Sequence, residues 1–466
     1  MLSIPPSVIV VGGGASAVFV AWALHEQAAA LGVPQPSVTV VGTGPGVGTE
    51  PGVGRGLAYG RADAHHRLNS PARSMSVSAS DDGGFVRWLE ESGWRDTDGA
   101  GATPGAFVPR RVFGDYVAGS FERLLADPSA RVAFRQGEVV EVAGADVGAS
   151  GGDGYVGGAD AGGDASGVVV TLADGSVLTA DHVVLALGNP PPVEVPSTAA
   201  RTIVDPWVPG ALDGIVESDR VLLIGTGLTA VDIATSLARR LPSLRIVATS
   251  RHLLLPAVHP PFPVPAGGGL GDVRSLPQMM RAFHERLRDA ERDGTPWQGV
   301  LDGVRPEVQA LWMRLSLDER RRFLGHVARR WDVHRHRMAA AVWQELSGLF
   351  DAGTLSLRAD VEHADFDVAI TCTGPRSVAD RGWSPLVDAL LDSGAVRPDP
   401  LGLGFDADPD GALPGTDGRL FAVGAALKGA LWETVAVPEI RQVASRVAGR
   451  ILVPFGSASA PASAAP

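Results

Sequence analysis

One cysteine, Cys372, is present among 466 residues, and that scarcity removes a class of reaction. Disulfide reductases pass electrons through a redox-active cysteine pair, which a single thiol cannot form. Cys372 closes the apolar run Val368-Ala369-Ile370-Thr371 and reads as a buried strand residue, not a nucleophile. A lone cysteine is also consistent with a cytoplasmic setting. The formal net charge is −12 and no long basic run occurs, so the chain lacks what neutralising nucleic-acid phosphates requires. The run from Val18 to Leu31 is too short, and too polar at His25, Glu26 and Gln27, to span a bilayer. A strand entered by Val8 leaves no room for a secretory leader, so none is expected. Gly-x-Ser-x-Gly, the signature of a nucleophile elbow, does not occur. His65, His66, His334 and His336 are the histidines that invite a metal reading. Adjacent or alternate residues diverge and no carboxylate stands at ligand spacing, so no metal is expected.

What the chain does have is a pair of glycine fingerprints. Val8-Ile9-Val10-Val11 runs into Gly12-Gly13-Gly14-Ala15-Ser16-Ala17, and Val221-Leu222-Leu223-Ile224 into Gly225-Thr226-Gly227-Leu228-Thr229-Ala230. Each closes an apolar strand and opens a helix, and each reads G-x-G-x-x-A. One glycine makes the tight turn, another lets backbone approach a pyrophosphate, and the last small residue lets helix and strand pack closely. The phosphate then meets a helix N-terminus, whose unpaired amides and dipole stabilise its charge. Two such units point to two nucleotides: FAD on Gly12, Gly14, Ser16 and Ala17, and NAD(P)H on Gly225, Gly227, Thr229 and Ala230. The fold class expected is α/β, with two Rossmann-like dinucleotide-binding domains and a helical insertion.

The spacing of elements gives 1–205 as the first part of the FAD domain and 206–270 as the NAD(P) domain. A helical insertion over 271–354 and a return to the FAD domain over 355–455 follow. Between Gly144 and Gly167, ten of 24 residues are glycine, so this stretch is expected to be a disordered loop, as is the tail 456–466. In the insertion, Val308, Leu311, Trp312 and Leu315, then Phe323, Val327 and Trp331, are spaced as helices with one buried face. That stretch carries 14 arginines against 10 acids between Gly271 and Ala340, either solvated faces or a wall that attracts an anionic substrate.

After the second strand, Ser37 to Val41, the acid that often binds ribose is replaced by Gly42-Thr43-Gly44, and the first acid is Glu50. Ser250-Arg251 follows the strand Arg245 to Thr249, where the adenosine ribose of a nicotinamide nucleotide should lie, and Arg251 there favours NADPH over NADH. Further FAD contacts are expected at Asn69, Val139, Gly188, Gly424 and Glu433. A helix with Pro438 in its first turn would bring its positive end to the flavin ring.

Several segments resemble one bacterial group. Gly54-Arg55-Gly56-Leu57-Ala58-Tyr59, the run His66 to Ser76, Val108-Pro109-Arg110-Arg111 with Gly114-Asp115-Tyr116, Trp331 to Met338 and Leu431 to Glu439 carry the likeness. The group is the FAD/NAD(P)-binding proteins that include FAD-dependent urate hydroxylase and nitrosuccinate-forming aspartate N-monooxygenase. The resemblance implies a non-covalent flavin reduced by NAD(P)H, and a flavin hydroperoxide that transfers one oxygen atom to a small nitrogenous metabolite, an amino acid or a purine such as urate. Substrate contacts are expected at Asn69, Arg73, His334, Arg337 and Trp432, with His334 and Arg337 three apart on one helix face. Two other readings stay open: a flavin reductase or NAD(P)H oxidase that feeds oxygen or a partner protein, and a nucleotide-responsive binding protein without turnover.

Overall fold

The computed structural model describes residues 4–44, 53–144 and 167–456. Glu50, most of the glycine-rich stretch and the tail from 457 onward lie outside the described residues. In chain order the strands are β1 (Ser7–Val11), β2 (Ser37–Gly42), β3 (Val132–Gln136), β4 (Val139–Gly144), β5 (Val168–Leu172), β6 (Val177–Ala180) and β7 (His182–Leu185). They continue with β8 (Arg201–Ile203), β9 (Arg220–Ile224), β10 (Arg245–Thr249), β11 (Leu355–Leu357), β12 (Val368–Thr371) and β13 (Leu420–Ala422).

Both fingerprint strands are the central strands of five-stranded parallel sheets. The first sheet has the order β13-β7-β1-β2-β3 and the second β11-β10-β9-β12-β8. A central parallel strand is covered on both faces and so reads as an unbroken apolar run. Val8 to Val11 and Val221 to Leu223 are accordingly buried. The helix Ala15–Leu31 covers β1 and lies along the long C-terminal helix Val437–Gly456, while Leu228–Arg240 covers β9. A small antiparallel sheet, β4-β5-β6, belongs to the first unit.

The two units repeat each other in their hydrogen bonds as well as in order. Gly12 N donates to Val41 O at 2.7 Å and Gly225 N to Thr249 O at 2.8 Å. Ala186 N donates to Val11 O at 2.8 Å, as Cys372 N does to Ile224 O at 2.8 Å. Both glycines have positive φ, 133° and 125°. A Cβ on Gly12 would stand 2.3 Å from Ala186 O, and one on Gly225 2.3 Å from Cys372 O. No residue with a side chain fits either turn.

The second sheet reaches beyond the boundaries expected for its domain. β8 lies before residue 206, and β11 and β12 lie in the segment assigned to the return to the first domain, yet all three pair in the second sheet. The return to the first sheet is made by β13 alone. Between β10 and β11 the helices Leu276–Arg292, Trp297–Val304, Val308–Arg314, Leu317–His326, Ala328–Arg335 and Ala340–Asp351 form the expected insertion. Leu276, Val304, Leu311, Trp312 and Trp432 make a separate core there. Among the described residues no helix is long and apolar enough to cross a membrane.

Candidate functional site

The carboxyl ends of both sheets open onto one cavity of about 1020 Å³, the place where open parallel sheets bind ligands. The first unit contributes the turn Gly12 to Ser16, Val41 to Gly44 after β2, Gly137 to Val139 after β3, and Ala186 to Pro192 after β7. The second contributes Leu228, Thr229, Asp232, Thr371 and Gly374. Val435 to Val437 and Ile440, at the start of the C-terminal helix, close another side.

Like most of the described helices, the two fingerprint helices begin without a side-chain cap. Ser275, Ser316 and Ser384 cap their helices through the side chain. Gly14 and Gly227 provide no side-chain cap, and neither helix has an acid in its first turn. First-turn amides left without a side-chain acceptor suit an anionic oxygen from a ligand.

Of the residues expected at FAD, Gly12, Gly14, Ser16, Asn69, Val139, Gly188 and Gly424 line the cavity. Ala17 is fully buried in the helix behind them, where its small side chain permits close packing. Glu433 does not line the cavity. Its carboxylate is held by Arg335 Nε at 2.8 Å and by Trp331 Nε1 at 3.1 Å, in a buried pair inside the helical layer. Of the NAD(P) residues, Thr229 lines the cavity. Gly225, Gly227 and Ala230 shape the turn behind it. Ser250 Oγ is engaged with Thr226 Oγ1 at 2.8 Å, and Arg251 is exposed at the end of β10.

The expected substrate residues are not brought together. Asn69 faces the cavity, and its backbone carbonyl accepts from His259 Nε2 at 3.0 Å. Arg73 is exposed in a short 3-10 turn, Ala72–Ser74. Trp432 packs in the helical core, with ring centroids 5.2 Å from Trp312 and 5.1 Å from Phe323, so it fills space instead of facing the cavity. His334 and Arg337 share no helix face, because the helix ends at Arg335. His334 is exposed and Arg337 is buried, and both lie against the Trp297 ring, at 5.1 Å and 5.8 Å.

Sequence reasoning missed several groups. Arg110 Nη1 meets Asp232 Oδ2 at 2.6 Å, a mostly buried pair joining the first unit to the second beside the cavity. Arg110 stands in one of the resemblance motifs, but its partner lies 122 residues away and no local signal marks it. His336 is the single residue that the helical insertion contributes to the cavity wall, and burial drives its imidazole pKa down to about 3. Burial likewise lowers His259 to about 4, so both rings are neutral near pH 7. Tyr59 lines the cavity and is raised by burial, which keeps its hydroxyl protonated. Burial also raises the Cys372 thiol, which argues against thiolate chemistry.

A carboxylate does stand near the paired histidines. Asp63, His65 and His66 each bring one ligand atom within 4.8 Å of the others. The Ser236 hydroxyl joins them, at 2.5 Å from Asp63 Oδ2 and 2.8 Å from His66 Nε2. His66 Nδ1 accepts from Asp63 N at 3.1 Å, so Nε2 carries the ring proton and points it at Ser236 and at Asp232 O. These bonds tie the two nucleotide units together and leave His66 no lone pair for a metal.

Residues 9–190 match a family model described as FAD-NAD(P)-binding. No curated protein matches. Among solved structures, an ornithine hydroxylase of Pseudomonas aeruginosa is similar at a TM-score of 0.57 and 16% identity, covering 96% of this chain and 99% of its own. The L-lysine 6-monooxygenase of Pseudomonas syringae is similar at 0.59 and 16%, covering 98% and 100%. A cadaverine monooxygenase of Erwinia amylovora, bound to FAD, is similar at 0.58 and 12%, covering 96% and 95%. At these identities the likeness is one of fold, and it extends along nearly the whole chain.

Proposed function

We propose that the protein is an NADPH-dependent, FAD-containing monooxygenase that hydroxylates a small nitrogen-containing metabolite, an amino acid or a purine. The observation that carries this reading is that one cavity is lined by the first sheet's glycine turn and by Leu228 and Thr229, which directly follow the matching glycine turn of the second sheet. Two dinucleotides seated on those turns would share that space, which is the requirement for hydride transfer from one to the other. The match of residues 9–190 to an FAD-NAD(P)-binding family model supports the cofactors, and the fold shared with an ornithine hydroxylase, an L-lysine 6-monooxygenase and a cadaverine monooxygenase supports the reaction class.

The chain's own residues supply binding, orientation and exclusion of water. Gly12 and Gly14 would admit the FAD pyrophosphate to the amides of the helix Ala15–Leu31, and Gly225 and Gly227 would do the same for NADPH at Leu228–Arg240. Arg251, exposed at the end of β10, suits the 2′-phosphate. The N-terminus of the helix Val437–Gly456 reaches the cavity through Val435 to Val437, where its positive dipole end would favour negative charge on a reduced ring. Bound there, the flavin would accept hydride from NADPH and activate oxygen. Neutral His336 and protonated Tyr59 present hydrogen-bonding groups without adding charge to the cavity.

Incubation of FAD-loaded protein with NADPH, labelled oxygen and a panel of amines, amino acids and purines tests the reading. One labelled oxygen per NADPH in a hydroxylated product is expected. Stoichiometric peroxide with every compound, and no label in any of them, would overturn it in favour of an oxidase.

A further inference from the structure

Asp232 and Ser236 stand one turn apart on the helix Leu228–Arg240 and so share a face. The first unit meets both. Arg110 Nη1 and Nη2 hold the Asp232 carboxylate at 2.6 Å and 3.3 Å, and His66 Nε2 reaches the Asp232 carbonyl at 3.2 Å and Ser236 Oγ at 2.8 Å. Asp63 Oδ2 accepts from the Ser236 hydroxyl at 2.5 Å. Beside them Arg61 Nη1 donates to Trp207 O at 3.0 Å, and the Trp207 ring stands edge-on to His66. The His66 side chain is 3% exposed, and those of Arg110 and Asp232 are 17% and 9% exposed, so water is largely kept from the junction.

Asp63 N donates to His66 Nδ1 at 3.1 Å, which leaves Nε2 as the ring's single donor. Burial lowers the pKa of this imidazole, so the neutral ring is the form present at pH 7. Apolar contact is non-directional and lets two surfaces slide, whereas hydrogen bonds hold only within narrow distances and angles. A buried polar network between two bodies therefore fixes how they sit more than it adds net stability. Position matters at this junction because the same helix opens onto the cavity. Leu228, Thr229 and Asp232 line it from the second unit, and Arg110 and Tyr59 from the first. Asp232 stands one helical turn beyond the first-turn amides, so a tilt of the helix at its junction moves whatever those amides hold relative to the turn Gly12 to Ser16.

We propose that the Asp232–Ser236 face, gripped by Arg110, His66 and Asp63, is a latch that sets the approach of the nicotinamide to the flavin, with His66 and Ser236 as positioning residues. The hydride transfer rests on the monooxygenase reading above; the docking does not. Neither residue lines the cavity or touches a cofactor turn, so each acts through the helix it holds. Loss of the latch leaves the glycine turn and its amides intact. It lowers the fraction of bound nucleotide that stands in reach of the ring, and so the rate of transfer more than the affinity.

Anaerobic stopped-flow reduction of the FAD-loaded protein tests this with His66→Phe, His66→Gln and Ser236→Ala. Phenylalanine keeps a ring beside Trp207 but loses both nitrogens, while the glutamine amide N–H has the same reach as Nε2–H. At saturating NADPH the rate constant for flavin reduction should fall roughly tenfold to a hundredfold in His66→Phe and by less in Ser236→Ala. The NADPH concentration for half-maximal reduction should stay nearly unchanged, and His66→Gln should recover most of the rate. Ser236→Ala, the milder change, carries the test should His66→Phe not fold. A second readout needs no cofactor chemistry. Spin labels go on Glu122→Cys, exposed on the first unit's helix Arg110–Ala126, and on Gln344→Cys, exposed on the helix Ala340–Asp351, whose Leu346 packs in the second unit's core. Cys372 is buried and takes no label. Pulsed EPR should give one narrow distance with His66 and Ser236 in place and a broadened distribution in His66→Phe or Ser236→Ala. Parental reduction rates in both variants would overturn the inference. So would a distance as narrow as the parental one, His66→Gln as slow as His66→Phe, or a raised half-maximal NADPH concentration at an unchanged limiting rate. Protein whose flavin NADPH never bleaches sinks the monooxygenase reading, and the label distances then decide the latch on their own.

Discussion

Replacing Gly225 by alanine should separate the two nucleotide sites. Its φ of 125° lies where side-chain-bearing residues are strained, at a cost of about 1–3 kcal/mol. The added Cβ would also stand 2.3 Å from Cys372 O, 2.6 Å from Cys372 C and 3.2 Å from Thr373 N. These are backbone atoms at the end of β12, held by the bond from Cys372 N to Ile224 O at 2.8 Å, so no flexible side chain can yield. Relief requires the turn to move away from β12, taking the first amides of the helix Leu228–Arg240 with it. Strain and overlap together come to at least about 3 kcal/mol, which is roughly a hundredfold in affinity if it falls on the bound nucleotide. Anaerobic stopped-flow reduction of bound FAD reads this directly. The NADPH concentration for half-maximal reduction should rise about a hundredfold, with FAD retained and still bleached by dithionite. Reduction that saturates at the parental NADPH concentration would show that the turn at Gly225 does not seat the nucleotide. The mirror change, Gly12→Ala, should instead yield protein without FAD, because its Cβ meets Ala186 O at the same 2.3 Å.

Three further outcomes are expected. Asp232→Asn leaves Arg110 with the Arg67 carbonyl at 3.0 Å but without its carboxylate; the loss should be about 2–3 kcal/mol, visible as a lower thermal midpoint at neutral pH. Arg251→Ala should raise KM for NADPH roughly tenfold or more while leaving that for NADH nearly unchanged, since only NADPH carries the 2′-phosphate that a guanidinium pairs with; an equal effect on both would place the phosphate elsewhere. Stability should also depend on acid in a defined direction. The imidazoles of His259 and His336 are depressed in the fold to about 4 and about 3, below the unfolded value of about 6.5. The unfolded chain therefore binds protons first, and stability is full above about pH 6.5 and is lost as pH falls through the window to the folded values. His259→Phe should flatten the upper part of a melting-temperature profile between pH 7 and 4; an unchanged slope would contradict the assignment.

The fold was legible because its signals are local. β1 and β9 are β-branched and leucine-rich runs ending in Gly-x-Gly, and the period of Val308, Leu311, Trp312 and Leu315 marks a helical face within the insertion. Strand membership was not legible at the edges. β8, β11 and β12 span three or four residues each, and only pairing partners far along the chain decide which sheet they join. The cavity-lining fingerprint residues could be read from their turn chemistry. Glu433 and Trp432 could not, because both stand in a motif next to cavity residues but are claimed by the helical layer, the one by Arg335 and the other by Trp312 and Phe323. Asp63 and Ser236, 173 residues apart, and Arg110 and Asp232, 122 apart, meet only once the two units are docked.

Anaerobic titration of the FAD-loaded protein with NADPH, followed by the flavin's visible absorbance, tests whether two dinucleotides meet in the shared cavity. Complete bleaching by one equivalent of NADPH per flavin is expected. Protein that takes up no FAD, or whose flavin stays oxidised under excess NADPH yet bleaches with dithionite, would contradict it.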